Sequence, residues 1–127
     1  MNKKRILIIE DDVGLANLIK GRLESSGYEV SIAEDGEKGI TEAEKKPDLI
    51  LLDIMLPKIS GLDVMKTIRT KGEWGMSVPI IITSNLSPDD DNIINSIAEH
   101  SPVFYLVKAE YSLEEIIEKT KNILSQK

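Results

Sequence analysis

The chain has 127 residues, the usual size of one domain with its own core, and 41% of them are hydrophobic. It contains no cysteine, which excludes a disulfide framework and a thiolate zinc site. A net charge of −6 and an aromatic content of 4% argue against nucleic-acid binding as the chain's own function. No apolar run is long enough for a membrane span or a signal peptide. We therefore expect one cytoplasmic domain over residues 1–127.

Five short apolar runs indicate five β-strands. They cover residues 6–9, 28–32, 49–52, 78–83 and 103–107. The third run is continuous and lies between Pro47 and Pro57, which favours a strand buried on both faces, although periodicity alone also allows a piece of buried helix. The second run alternates apolar and polar residues, as an edge strand does.

Apolar residues at helical spacing separate these strands and predict five helices. The stripes are Leu15, Leu18, Ile19 and Leu23; Ile40 and Ala43; Leu62, Met65 and Ile68; Ile93, Ile94 and Ile97; and Leu113, Ile116, Ile117, Thr120 and Leu124. Candidate helix caps are Asp12, Asp35, Ser60, Ser87 and Ser112. Residues 71–77 are predicted to form a loop in which Trp74, the single tryptophan, is partly packed.

The regular alternation of strands and helices predicts an α/β fold. We expect a doubly wound, five-stranded parallel sheet with the strand order 2-1-3-4-5 and five helices. The polar second strand belongs at an edge, and the first and third strands lie side by side in the middle. In such sheets, ligands bind beyond the carboxyl ends of the strands, so this rim is where a functional site is expected.

Charged and hydroxyl residues follow the predicted strands at that rim. They are Glu10, Asp11, Asp53, Thr83 and Lys108. Two carboxylates ~4 Å apart repel each other by ~4 kcal/mol at an effective dielectric constant of ~20, so a cation must offset the repulsion. An all-oxygen site with room for water suits Mg²⁺, and a lysine suits a phosphate oxygen. An aspartate in these surroundings can accept a phosphoryl group, and Asp53 is our candidate nucleophile.

These motifs resemble those of response-regulator receiver domains of two-component signalling, over essentially the whole chain. They are Ile8-Ile9-Glu10-Asp11-Asp12, Leu52-Asp53 with Met55 and Leu56-Pro57, Gly61, Ile82-Thr83-Ser84, and Tyr105-Leu106-Val107-Lys108. Each motif alone is weak, but their order on the predicted elements is specific. The resemblance implies a flavodoxin-like fold and a phosphorylation-controlled regulator in a phosphorelay. We expect residues 1–127 to hold no output domain, so that the chain is either a stand-alone regulator or an excised receiver domain. Such a regulator is not a conventional enzyme, since it catalyses only its own phosphoryl transfer and dephosphorylation.

The resemblance also implies how the acidic residues act. Asp53 would accept the phosphoryl group from a phosphohistidine on a sensor histidine kinase or a phosphotransfer protein. Asp11, Asp53 and the backbone carbonyl of Met55 would bind Mg²⁺ directly, and Glu10 would act through a metal-bound water.

The remaining motif residues are implied to carry the signal. Lys108 would pair with the phosphoryl group, Thr83 would move toward it, and Tyr105 would swing inward behind Thr83. This would remodel a partner-binding surface formed by the fourth predicted helix, the fifth strand and the last helix. The partner would be another protein or a second copy of the chain, with no direct contact to nucleic acid or membrane.

Two features depart from the family pattern or leave it open. Ala109 follows the lysine where receiver domains usually have a proline in a cis peptide bond. Because a cis bond before a residue other than proline costs ~3–4 kcal/mol, we expect a trans bond here and a changed loop. Met55 and Asn85 occupy positions that, in the family, tune the lifetime of the phosphoryl group.

Three other functions fit parts of the sequence. A nucleotide- or flavin-binding module would need a Gly- or Ser/Thr-rich phosphate loop after the first strand, where this chain has acidic residues. An aspartyl-phosphate phosphatase would carry a second aspartate two residues after the nucleophile, where this chain has Met55, which cannot transfer a proton. A pseudo-receiver that only docks to a partner remains open because of Ala109.

Overall fold

The computed structural model of the protein describes residues 3–84, 95, 98–100 and 102–125. Five parallel strands form one sheet in the order β2-β1-β3-β4-β5, which confirms the predicted topology. The strands are β1 (Arg5–Ile9), β2 (Glu29–Ala33), β3 (Leu49–Asp53), β4 (Ile80–Ser84) and β5 (Val103–Val107). The α-helices whose bounds lie among the described residues are α1 (Val13–Ser25), α2 (Gly36–Ala43), α3 (Gly61–Arg69), α4 (Gly72–Ser77) and α5 (Leu113–Ser125).

Helices cover both faces of the sheet, which explains why the central strands are apolar throughout. On one face, α1 and α5 bury residues such as Leu23 and Ile117 against alternate strand residues. On the other face, α2, α3 and the aromatic ring of Trp74 pack against the remaining strand residues. All five residues of β3, including Asp53, are buried. The core therefore holds the carboxyl end of β3 in a fixed place.

Local capping signals set the helix starts where the sequence predicts them. The side chains of Asp12, Asp35 and Ser60 accept hydrogen bonds from the backbone amides of the first turns of α1, α2 and α3. Ser112 and Glu115 form a reciprocal capping box at α5, with distances of 3.1 and 3.0 Å. These short-range bonds fix where each helix begins relative to the rim of the sheet.

Two predictions about local structure are wrong. Residues 71–77 are not a loop, because α4 occupies most of this segment and places Trp74 against the core. Leu18 does not face the core, since it is 60% exposed while Ile19 and Leu23 on the same helix are buried. The helix predicted from Ser87, with Asn85 before it, lies almost entirely outside the described residues.

Candidate functional site

The carboxyl ends of β1 and β3 lie next to each other, so the acidic residues that follow them meet at one rim. β1 and β3 pair from Ile6 with Leu49 to Ile9 with Leu52. Glu10 follows β1 directly, and Asp53 is the last residue of β3. Both side chains are buried, at 3% and 5% exposure for the residues. Topology thus brings together two acidic groups that are far apart in the chain.

Glu10, Asp11 and Asp53 form a cluster that could hold a metal ion. One carboxylate oxygen from each residue lies within 4.8 Å of the other two. Asp11 is exposed, whereas the other two are buried, so water can reach the cluster at Asp11. Three hard oxygen donors with access for water fit Mg²⁺, which keeps several waters when it binds to proteins. The donor set therefore fits the metal predicted from the sequence.

The ammonium group of Lys108 reaches this cluster from the end of β5. Its Nζ donates to Glu10 Oε1 at 2.7 Å and to Asp53 Oδ2 at 3.3 Å. A 3₁₀ turn, Lys108–Glu110, follows the strand, so Ala109 in place of the family's proline still leaves this lysine within reach of the site. The hydrogen bond to Glu10 could not be predicted from the sequence, which indicated only that Lys108 would bind a phosphate oxygen.

The charges at this rim perturb each other's protonation. Burial is the main reason that the pKa of Glu10 rises to about 7, and the nearby Asp53 raises it further, while bonds from Lys108 and the Asp12 amide oppose the rise. The pKa of Lys108 is also raised, because burial, which lowers it, is outweighed by Glu10 and Asp53. The site thus contains more negative charge than its single lysine offsets, which favours a bound cation.

Thr83 and Ser84 line the neighbouring strand end. Thr83 lies opposite Asp53 in the register of β3 and β4 and is buried, as is Ser84. Tyr105 on β5 is half-buried, and its pKa is raised by burial and by the charge of Asp53, against a hydrogen bond with Ser84. The sequence identified Thr83 and Tyr105, but gave Ser84 no separate role.

The backbone after Asp53 folds closely around this residue. The amide of Met55 donates to Asp53 Oδ1 at 3.2 Å, which places the Met55 backbone beside the cluster, although the residue as a whole is 63% exposed. A Cβ atom on Gly61 would lie 2.1 Å from the carbonyl oxygen of Asp53, so only glycine fits there. The Met55 carbonyl as a metal ligand stays a prediction.

Comparisons with known proteins agree with this architecture. The model of the response regulator receiver domain family matches residues 6–121. The chain belongs to this family. Its members with curated descriptions include the alkaline phosphatase synthesis transcriptional regulatory protein PhoP of Bacillus subtilis, which is 37% identical over 125 residues. That match covers 98% of this chain and 49% of PhoP, so the chain spans about half the length of this relative.

Solved receiver domains have the same fold. The Francisella response regulator 1452 receiver domain superposes with a TM-score of 0.79 at 30% identity, covering 96% of each chain. The BeF₃-activated N-terminal receiver domain of RstA from Klebsiella pneumoniae superposes with a TM-score of 0.80 at 27% identity, covering 97% of this chain and 100% of that one. Within the described part of this receiver domain, no helix is long and apolar enough to cross a bilayer.

Proposed function

We propose that this receiver domain is a Mg²⁺-dependent switch in which Asp53 accepts a phosphoryl group. The observation that carries the proposal is the position of Asp53. It is buried at the centre of the rim, has oxygens of Glu10 and Asp11 within 4.8 Å, and accepts a hydrogen bond from Lys108 at 3.3 Å. A carboxylate held among these groups has both a place for a metal ion and a cation for the incoming phosphoryl oxygens.

In the proposed transfer, an oxygen of the Asp53 carboxylate attacks the phosphorus of a phosphohistidine on a sensor kinase or phosphotransfer protein. The phosphorus–nitrogen bond breaks, and its electron pair stays on the imidazole nitrogen of the donor. Bound Mg²⁺ would supply positive charge for the phosphoryl oxygens. Asp11, Asp53 and the Met55 carbonyl would hold it directly, and Glu10 would hold it through a water.

Lys108 has a second task in this proposal. In the unphosphorylated site its ammonium group bonds to Glu10 and Asp53. After transfer, one Asp53 oxygen is bonded to phosphorus in a mixed anhydride, and the ammonium group would move its hydrogen bond to a phosphoryl oxygen. The lysine thus has two sets of partners, and the phosphoryl group selects between them, which a ligand-driven switch requires.

The conformational signal would pass from Thr83 to Tyr105. The Thr83 hydroxyl would donate to a phosphoryl oxygen, and Tyr105 would move inward into the space that it leaves. Thr83 and Tyr105 lie on neighbouring strands, where Thr83 pairs with Leu106, the residue after Tyr105. The charge of Asp53 contributes to the raised pKa of Tyr105. The affected surface would comprise β5, α5 and the helix predicted from Ser87, and it would bind a downstream protein or a second copy of the chain.

The output is proposed to be control of transcription through another protein module, in the cytoplasm. PhoP is described as a transcriptional regulatory protein, and this chain matches about half of it. The net charge of −6 supports signalling by protein contact over direct binding of the receiver domain to nucleic acid.

Intact-mass spectrometry after incubation with acetyl phosphate and Mg²⁺ tests this function. We expect the wild-type chain to gain one phosphoryl group, and Asp53→Asn to gain none. Asp63→Asn is the matched control, because it makes the same substitution in the first turn of α3, outside the acidic cluster. This variant should gain one phosphoryl group, as the wild type does. Absence of a gain in the wild type, with Mg²⁺ present, would favour a pseudo-receiver that acts only as a docking surface.

A further inference from the structure

The loop between β3 and α3 carries the backbone of Met55, and both of its ends are fixed. Its start is held by the bond from the Met55 amide to Asp53 Oδ1. Its end is held where the Gly61 amide donates to the carbonyl of Ile54 at 2.8 Å. The middle of the loop has a different anchor, which lies outside the rim cluster and has no part in the function proposed above.

That anchor is Lys58, which reaches across to the start of α2. Its ammonium group lies 3.7 Å from Asp35 Oδ2 and 3.4 Å from Glu37 Oε1. Asp35 is a firm partner because it is 7% exposed and its other oxygen accepts from the Lys38 amide at 2.8 Å. Lys58 therefore ties a loop beside the phosphoacceptor to the cap of a packed helix.

Two further observations show that the loop has a specific, constrained conformation. Lys58 has φ of +71°, a left-handed backbone that is unfavourable for a residue with a side chain. The carbonyl oxygen of the next residue, Ile59, lies against the start of α2, where a Cβ atom added to Gly36 would be 2.6 Å from this oxygen. Such strained conformations persist only where the surroundings over-determine them, and they concentrate at functional sites.

We propose that Lys58 is a positioning residue for the metal site. Its ion pairs with Asp35 and Glu37 hold the β3–α3 loop against α2, so that the Met55 backbone stays beside Asp53. This inference rests on the proposed Mg²⁺-dependent function and adds a residue to it. Lys58 does not touch the cluster itself, and it acts through the loop that it holds.

The sign of the effect on metal binding separates positioning from simple electrostatics. Removing a positive charge near an acidic cluster would, by the field alone, make Mg²⁺ bind more tightly. Removing a positioning contact would make Mg²⁺ bind more weakly, because the loop then has to be ordered when the metal binds. The two explanations therefore predict opposite changes for the same substitution.

Lys58→Gly is the informative variant because glycine accepts the left-handed backbone and removes only the side chain. Lys46→Gly is its matched control. Lys46 is the other described non-glycine residue with positive φ, at +56°, and it lies in the turn before β3, at the opposite end of the sheet. Lys58→Arg keeps a cation within reach of Asp35 and should restore wild-type behaviour.

The experiment measures the Mg²⁺ dissociation constant of each full chain from its Mg²⁺-dependent thermal shift. Hydrogen exchange of the 54–60 segment in the metal-free proteins is a second readout. We expect Lys58→Gly to bind Mg²⁺ about two- to fivefold more weakly, as the loss of exposed ion pairs allows, and to exchange faster in this segment. Lys46→Gly and Lys58→Arg should match the wild type in both readouts.

Two results would overturn the inference, and they differ in what else they overturn. Equal or tighter Mg²⁺ binding by Lys58→Gly, with normal binding by the wild type, would remove the role of Lys58 and leave the proposed function intact. Absence of any Mg²⁺-dependent shift in the wild type would overturn both.

Discussion

Cationic side chains at the two ends of the β-sheet have different kinds of hydrogen-bond partner. At the amino end, the Arg69 guanidinium donates to four neutral backbone carbonyls, those of Gly75, Val78, His100 and Pro102, at 2.7–2.9 Å. At the carboxyl end, Lys108 bonds to two carboxylates of a crowded cluster. The first arrangement joins α3, α4 and the starts of β4 and β5, and leaves no group to react. The second leaves excess negative charge, which is where a metal and a phosphoryl group can act.

The largest change in stability should come from removing the Arg69 hydrogen bonds at the amino end. Arg69→Met would remove one donor from each of four partly buried carbonyls, of which that of Pro102 keeps a bond from the Ile80 amide. We therefore expect the free energy of unfolding to fall by about 2–4 kcal/mol. Urea denaturation of the metal-free protein measures it. Arg22→Met, at an exposed arginine that forms an ion pair with Glu114, should cost much less than Arg69→Met, because solvent screens an exposed pair. Equal losses for the two variants would show that the Arg69 bonds are not what holds this end together.

At the carboxyl end, the charge on Glu10 should make stability depend on pH. The folded-state pKa of about 7 lies above the ordinary value of 4.5, so the folded protein holds the proton more tightly than the unfolded chain. Stability should therefore rise as pH falls through 7 toward 4.5, and be lowest above 7. Because solvent screens part of the effect, we expect a gain of about 1–2 kcal/mol between about pH 7.5 and 5.5 without metal.

Chemical denaturation at several pH values, with a chelator present, measures this dependence. Glu10→Gln carries no titrating proton at this position and should flatten it. An unchanged pH dependence in that variant would mean that another group is responsible, and that the carboxyl end is less crowded than the distances indicate.

The smallest effect belongs to a single neutral bond at the amino end. The indole nitrogen of Trp74 donates to the carbonyl of Pro47 at 2.7 Å. Trp74→Phe keeps an aromatic ring against the core but loses this donor, and should cost about 1 kcal/mol in urea denaturation, with phosphorylation of Asp53 unchanged. A loss of phosphorylation would contradict the separation of the two ends.

Local signals explain which features could be predicted from the sequence. The caps at Asp12, Ser60 and Ser112 act within three residues, so short patterns identify them. The rim cluster follows from topology, because parallel strands bring their carboxyl ends together once their order is known. This is why Glu10, Asp11, Asp53, Thr83 and Lys108 could be expected at the same rim.

Long-range contacts explain which features could not be predicted from the sequence. The bond between Lys108 and Glu10 joins residues 98 positions apart, and those of Arg69 to His100 and Pro102 span 31 and 33. Helix α4 contains two glycines, which favour a loop. It forms where Gly75 lies so close to the Ile68 carbonyl that a Cβ would be 2.2 Å away, with its own carbonyl bonded to Arg69. Here tertiary contact overrides local propensity.

The most direct test of the account is the Mg²⁺ dependence of unfolding in wild type and Asp53→Asn at about pH 7.5. The central claim is that the carboxylates at the rim repel one another until a divalent cation joins them. We predict that the wild type gains about 2–3 kcal/mol when Mg²⁺ reaches ~100 times its dissociation constant, whereas the variant gains far less. Without Mg²⁺, the variant should melt at or above the wild-type temperature. A variant that melts below the wild type without metal, or gains as much from Mg²⁺, would contradict the claim.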